Sequence, residues 1–153
     1  MARFEFRTLV DAPPDRVFDL WTDLDRAQEW LVGLSKITDR TGSLDQPGSS
    51  YVMWFSGRPA LVTVLEVQRP NLIKSRLGGG LFKGLLGATF EPDAGGTRIT
   101  EWSEPEGVGP TIASWIFSKG SWKGSFQGEL KTFKRIAERE AGEAREDVAP
   151  IGG

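Results

Sequence analysis

The sequence predicts an α+β domain: a curved antiparallel sheet of about seven strands wrapped around one long C-terminal helix, with two short helices after the first strand. Three observations carry this. Residues 4–10 alternate apolar and charged side chains at the two-residue period of a strand with one wet face. Between residues 34 and 104, short apolar or aromatic runs are separated by Gly, Pro, Asn and Asp, the punctuation of hairpins. Within residues 110–141, Trp115, Trp122, Phe126, Leu130, Phe133 and Ala137 recur at spacings of three, four and seven, one stripe of an amphipathic helix. At about 1.5 Å per residue, that stripe reaches roughly 33 Å, enough to cross a small domain.

Each element follows from local chemistry. Asp11-Ala-Pro-Pro-Asp ends the first strand and opens a helix over residues 14–22, with proline in the first turn where its missing N–H costs nothing. Val17, Phe18 and Trp21 form its apolar side. Asp15, Asp19 and Asp23 lie on another side, and they read better as a solvated face near the positive helix end than as a metal patch. A second short helix is expected over 25–31, carrying Ala27, Trp30 and Leu31. Strands are then expected over 34–38, 50–55, 60–68, 72–77, 85–91 and 97–104, the last two closing a hairpin around Pro92-Asp-Ala-Gly-Gly. The single domain spans residues 1–141. Residues 142–153 carry no core-forming pattern and are expected to form a disordered tail.

Composition removes whole classes of activity. The chain has 153 residues, a net charge of -2 and no cysteine or histidine. Disulfides, thiolate nucleophiles and Ser-His-Asp chemistry are excluded, as is any site ligated by His or Cys, and no metal or cofactor is expected. The charge balance gives no cationic excess for nucleic acid. No apolar run approaches the ~20 residues of a membrane span, and a cytoplasmic protein is expected. Acid–base chemistry near neutral pH would fall to carboxyl groups, lysines or the single tyrosine, Tyr51.

The runs VDAPPDRVFDLWTDLDRAQEWLVGL (10–34), FEPDAGGTRITEW (90–102) and FQGELKTFKRIAE (126–138) resemble the SRPBCC superfamily. They are most similar to its START-like polyketide cyclase/dehydratase and lipid-transport proteins. Pro13, Pro14, Val17, Phe18 and Trp30 stand at that family's first-helix and second-helix positions. Pro92, Gly95, Gly96, Thr97, Ile99 and Thr100 stand at its hairpin. The resemblance covers residues 3–140 and implies a helix-grip fold with an apolar cavity between sheet and long helix. It also implies binding of lipids, polyketides or similar molecules, with cyclisation or dehydration in some members.

Site candidates come from apolar faces. Trp54, Trp102, Trp115 and Trp122, on the sheet or the helix stripe, with Phe126, are expected to wall a pocket for flat rings; the alternative for the tryptophans is core filling. Trp21 and Trp30 are expected in the core. Lys119 and Glu129 fall about 40° to either side of Trp115, and Arg76 and Glu101 lie on strands with one inward parity. Any of them pointing inward needs a partner, although long cations also reach the rim. Glu101 and Glu129 are the acid–base candidates, and Arg76 and Lys119 are candidate ligand contacts.

The leading expectation is a carrier or sensor of a small hydrophobic, cyclic or aromatic ligand. The main alternative is a cofactor-independent polyketide cyclase or dehydratase. A third reading is a protein-interaction module working through Leu81 and Phe82 of the glycine-rich loop 78–84. Gly120, Gly124 and Gly128 repeat every four residues opposite the aromatic stripe, which suggests either a homodimer contact or drift at solvent positions.

Overall fold

The alternation in residues 4–10 forms strand β1 (Phe4–Val10), with Phe4, Phe6, Thr8 and Val10 on one face and Glu5, Arg7 and Leu9 on the other. The computed structural model describes residues 3–106, except 32, 44, 56 and 79–82, and the helix 121–148, where side chains are described for 127–146. Helix α1 (Pro14–Thr22) follows β1 and buries Val17, Phe18 and Leu20. The predicted second helix is a tighter 3-10 turn over Leu24–Glu29. Asp23 sets its start by accepting the Asp25 N–H at 3.1 Å, and Trp30 leaves helical geometry at φ -130°.

The remaining strands are β2 (Leu34–Thr38), β3 (Ser50–Phe55), β4 (Arg58–Gln68), β5 (Leu72–Gly78), β6 (Gly84–Asp93) and β7 (Gly96–Pro105). They form one seven-stranded sheet ordered β1-β7-β6-β5-β4-β3-β2, and every pairing is antiparallel. β1 pairs with the last strand, so α1 and the 3-10 turn carry the chain across to the opposite edge. The β6–β7 hairpin closes at the predicted place. Ala94 (φ 51°) and Gly95 (φ 86°) both take positive φ, the geometry a two-residue turn between right-twisted strands requires.

The long helix, α2 (Ser121–Val148), packs against β1 and α1. Its buried side is Leu130, Phe133, Ile136, Ala137 and Ala141, so the stripe of the sequence continues with Ile136 and Ala141 added. Residues 142–148, read from the sequence as tail, continue the helix, and Arg145 reaches Asp11 at 3.7 Å. Polar ties fix this half of α2 to the end of β1. Lys134 Nζ donates to the Leu9 carbonyl at 2.6 Å, and Glu138 accepts the Asp11 N–H at 2.8 Å. Arg26 bonds both Glu140 and Glu29, which holds all three groups charged.

Register divides the sheet into two faces. Opposed residues in an antiparallel pair share a face. Val10–Thr97, Thr8–Ile99–Phe90 and Phe6–Glu101–Ala88–Ile73 therefore lie on the concave side with the helices. One end of this side is filled by aromatic rings. Trp21 and Trp30 stack at 4.7 Å, and Phe133 meets them edge-on at 5.1 and 5.0 Å. Phe90 meets Phe18 at 5.7 Å and Trp21 at 5.5 Å. Trp21 and Trp30 are core residues, as their helix positions predicted.

Candidate functional site

Beyond the aromatic plug, the concave face changes character. Along β7 the inward residues run Thr97, Ile99, Glu101 and Ser103. Thr97 donates to the Ala12 carbonyl at 2.7 Å, and Ile99 is fully buried. Glu101 follows, 7% exposed, with Phe6 and Ala88 directly opposite on the flanking strands. Its carboxyl is buried with it. Burial pushes that carboxyl well above the usual carboxylate range, and the charge of Glu129 on α2 adds to the effect. The two glutamates singled out from the sequence thus influence each other across the sheet–helix interface.

Ser103 lies two residues further along the same face, roughly 7 Å from Glu101. It is 2% exposed, and its hydroxyl has no hydrogen-bond partner among the described residues. Ser75, on the same face two strands away through Leu86, is also buried. Tyr51 lies further round, buried opposite Val62, and burial raises its phenol. Buried polar groups ordinarily find partners, because leaving one dry and unpaired costs about 1–3 kcal/mol. A buried carboxyl and a hydroxyl with no partner among the described residues are therefore neighbours on one strand face, beside Phe6, Ile73, Leu86 and Ala88. Sequence reading missed Ser103 and Ser75. The signal was present: once Glu101 is placed inward opposite Phe6, the two-residue period places Ser103 beside it.

Three other candidates lie on the convex side. Trp102 pairs with Glu5 and Gly87, one parity away from Glu101. It covers Gly87, with the Arg3 guanidinium 4.6 Å and Lys74 Nζ 6.0 Å from its ring centre. Trp54 lies outward as well, with Lys36 Nζ 5.0 Å above it and its indole N–H donated to Thr38 at 2.9 Å. Arg76 is exposed and pairs with Glu106 at 2.6 Å. These residues sit away from the concave wall because one-residue parity decides the face and aromaticity does not. The two tryptophan rings are covered there by cations laid over them. Trp115 and Lys119 lie outside the described residues, as do the side chains of Trp122 and Phe126. So do Leu81 and Phe82 of the glycine-rich loop.

Two of the three aspartates at and beside α1 are engaged separately. Asp19 pairs with Arg69 at 2.7 Å, and Asp23 caps the 3-10 turn. No group of three or more described carboxylates could hold a metal ion. A groove of about 420 Å³ between α1 and α2 is lined by Asp15, Asp19, Asp23, Arg26 and Glu140. Its charged walls suit water better than an apolar ligand. Among the described residues no helix is long and apolar enough to cross a membrane.

Comparison with known proteins accords with this architecture. The sequence matches the family "Polyketide cyclase / dehydrase and lipid transport" over residues 1–138. The chain belongs to that family. Its helix-grip sheet and C-terminal helix place it in the SRPBCC superfamily, as the quoted motifs implied. Solved structures share the fold at low identity. DynU16, from the dynemicin biosynthetic locus, is 18% identical with a TM-score of 0.69, over 91% of this chain and 48% of its own. This polyketide cyclase/dehydrase-family chain therefore spans about half of DynU16. Protein MLL2253 from Mesorhizobium loti is 12% identical, with a TM-score of 0.73 over 90% of this chain and 98% of its own. Ara h 8.0201 is 13% identical, with a TM-score of 0.65 over 89% and 97%. None of the curated proteins matches the sequence. Family membership supports a hydrophobic-ligand-binding fold, since the family's description covers cyclases, dehydrases and lipid transport.

Proposed function

We propose that the protein binds a small hydrophobic molecule, cyclic or aromatic, between the concave sheet face and α2, in a carrier or sensor role. The observation that supports this best is the Glu101–Ser103 pair. Both side chains are buried on one strand face beside Phe6 and Ala88, and the Ser103 hydroxyl has no hydrogen-bond partner among the described residues. Concave apolar surfaces carrying a few fixed polar groups are the usual form of small-molecule sites. The test is a titration of tryptophan fluorescence with uncharged single-ring and fused-ring aromatics. The expected result is saturable quenching that persists in Trp54→Phe and Trp102→Phe, because both rings lie on the convex face. No saturable quenching across the series would remove the reading.

One observation favours a second reading, a cofactor-independent cyclase or dehydratase. A carboxyl that keeps its proton near neutral pH can serve as a general acid, and burial and Glu129 both push Glu101 that way. In that case Glu101 protonates the carbonyl or leaving hydroxyl oxygen of a polyketide-like substrate, and Glu129 is placed to accept a proton in return. Once a turnover is established, loss of kcat in Glu101→Gln with KM unchanged supports it. Unchanged kcat in both Glu101→Gln and Glu129→Gln removes it.

A further inference from the structure

The sheet ends in two edge strands, β1 and β2, and they differ in how far they are protected. We infer that the open edge of β1 pairs with the same edge of a second copy of this chain, antiparallel and centred on Phe6, so that the sheet continues from one molecule into the other. The inference is independent of what the concave face binds.

A strand at a sheet edge offers unpaired N–H and C=O groups to another chain, and short, bulged or covered edges prevent this. β2 has all three protections. It has five residues, its register shifts between Leu34 and Lys36, and the Gln28 side chain donates to the Ser35 carbonyl at 2.5 Å. β1 has seven residues in unbroken register with β7 and contains neither proline nor glycine. Two contacts show which of its backbone groups are open. The Val10 carbonyl points at β7, where a methyl on Gly96 would run into it, whereas the Leu9 carbonyl points away and accepts from Lys134 Nζ at 2.6 Å. These directions alternate along a strand, so Phe4, Phe6, Thr8 and Val10 bond β7 while Glu5, Arg7 and Leu9 face the edge. α2 covers the far end of that edge, through Lys134 at Leu9 and Glu138 at the Asp11 N–H. Among the described residues, no side chain takes the backbone groups of Glu5 or Arg7.

Charge then selects the partner. Two copies of β1 must keep their outward residues in one row, because a one-residue slip would turn every side chain to the wrong face. A pair centred on Glu5 sets Glu5 against Glu5 and Arg3 against Arg7. One centred on Arg7 sets Arg7 against itself, and one centred on Thr8 sets Glu5 against Asp11. Centred on Phe4, Arg3 meets Glu5, but the pairing runs off the start of the strand. Centred on Phe6, Glu5 of each copy faces Arg7 of the other, and each such pair exchanges both of its backbone N–H···O bonds. Both side chains are exposed, and within one chain Arg7 already reaches Glu5 at 2.9 Å. The same register sets the half-buried Phe6 against its own copy on the concave side and brings Leu9, 55% exposed, opposite Arg3. The alternating charges of β1 thus disfavour other registers and complement this one.

Sedimentation velocity from about 5 to about 500 µM protein tests this. The wild type is expected to pass reversibly from the mass of one chain to that of two. Glu5→Arg and Arg7→Glu should each weaken self-association about tenfold or more, since both facing pairs become like-charged. The double variant Glu5→Arg/Arg7→Glu should restore it to within about threefold of wild type. An equimolar mixture of the two single variants should form a mixed dimer, because every facing pair is again opposite in charge; general damage to the strand would not give that result. A wild type that stays monomeric throughout overturns the inference. So does a dimer that both single variants leave unchanged, or one that neither the double variant nor the mixture restores.

Discussion

Replacing Glu101 with glutamine removes the charge and nearly preserves shape, and its effect on stability follows from proton linkage. In the unfolded chain this carboxyl titrates near 4.5, whereas burial and Glu129 keep it protonated to well above that in the folded protein. Below about pH 4.5 both states hold the proton, and Glu101 imposes no pH-dependent cost. Above it, the unfolded chain releases the proton and the folded one does not. The wild type then loses about 1.4 kcal/mol of stability for each pH unit, until Glu101 itself ionises in the native state. Glutamine has no such slope. The stability of Glu101→Gln relative to wild type should therefore rise with pH, reaching about 2.7 kcal/mol between pH 5 and 7 if the native carboxyl stays neutral throughout. Urea unfolding followed by tryptophan fluorescence at pH 4, 5, 6 and 7 measures it, and taking the difference cancels titrations remote from Glu101. Glu129→Gln should end the slope at lower pH by removing the neighbouring charge. A difference that stays constant from pH 4 to 7 refutes the reasoning, because it means the native carboxyl ionises like an exposed one.

Other elements of the fold give sharper or smaller effects. Phe133→Ala empties the centre of the aromatic plug and should cost about 3–5 kcal/mol in urea unfolding. Gly87→Ala places a methyl inside the Trp102 ring, 2.7 Å from its Nε1, and should cost about 1–3 kcal/mol while shifting tryptophan emission as the ring is lifted off the sheet. Arg26→Met breaks the bonds to Glu29 and Glu140, but these groups are about a third exposed or more. Solvent screening should hold the loss to about 1 kcal/mol or less, and added salt should shrink it further.

The fold was legible because its signals are periodic. Alternation placed β1, the Asp-Ala-Gly-Gly turn placed the β6–β7 hairpin, and the three-four spacing of Leu130, Phe133 and Ala137 placed the buried side of α2. Element ends were less legible. Arg58 and Pro59 join β4 through pairing with Phe55 and Trp54, and residues 142–148 stay helical although only polar ties and Ala141 hold them. The site was half legible. Glu101 and Glu129 stood out as charges on apolar elements, and the structure relates them. Trp54 and Trp102 pointed the other way, because a large aromatic on a strand reads as buried and Trp102 is indeed buried, but under Arg3 and Lys74 on the convex face. Burial without parity does not assign a face. Ser103 escaped notice because serine is unremarkable in a strand until its neighbours show that it is dry.

The most direct test of binding at the concave face is methyl NMR of the protein titrated with 2-naphthamide. The account predicts saturable shifts at Ile73, Leu86 and Ala88, which line that face around Glu101 and Ser103, with none at the exposed convex Leu9, Leu61 and Leu65. Saturable shifts confined to those outward leucines, or no saturable shift at any of the six, would contradict it.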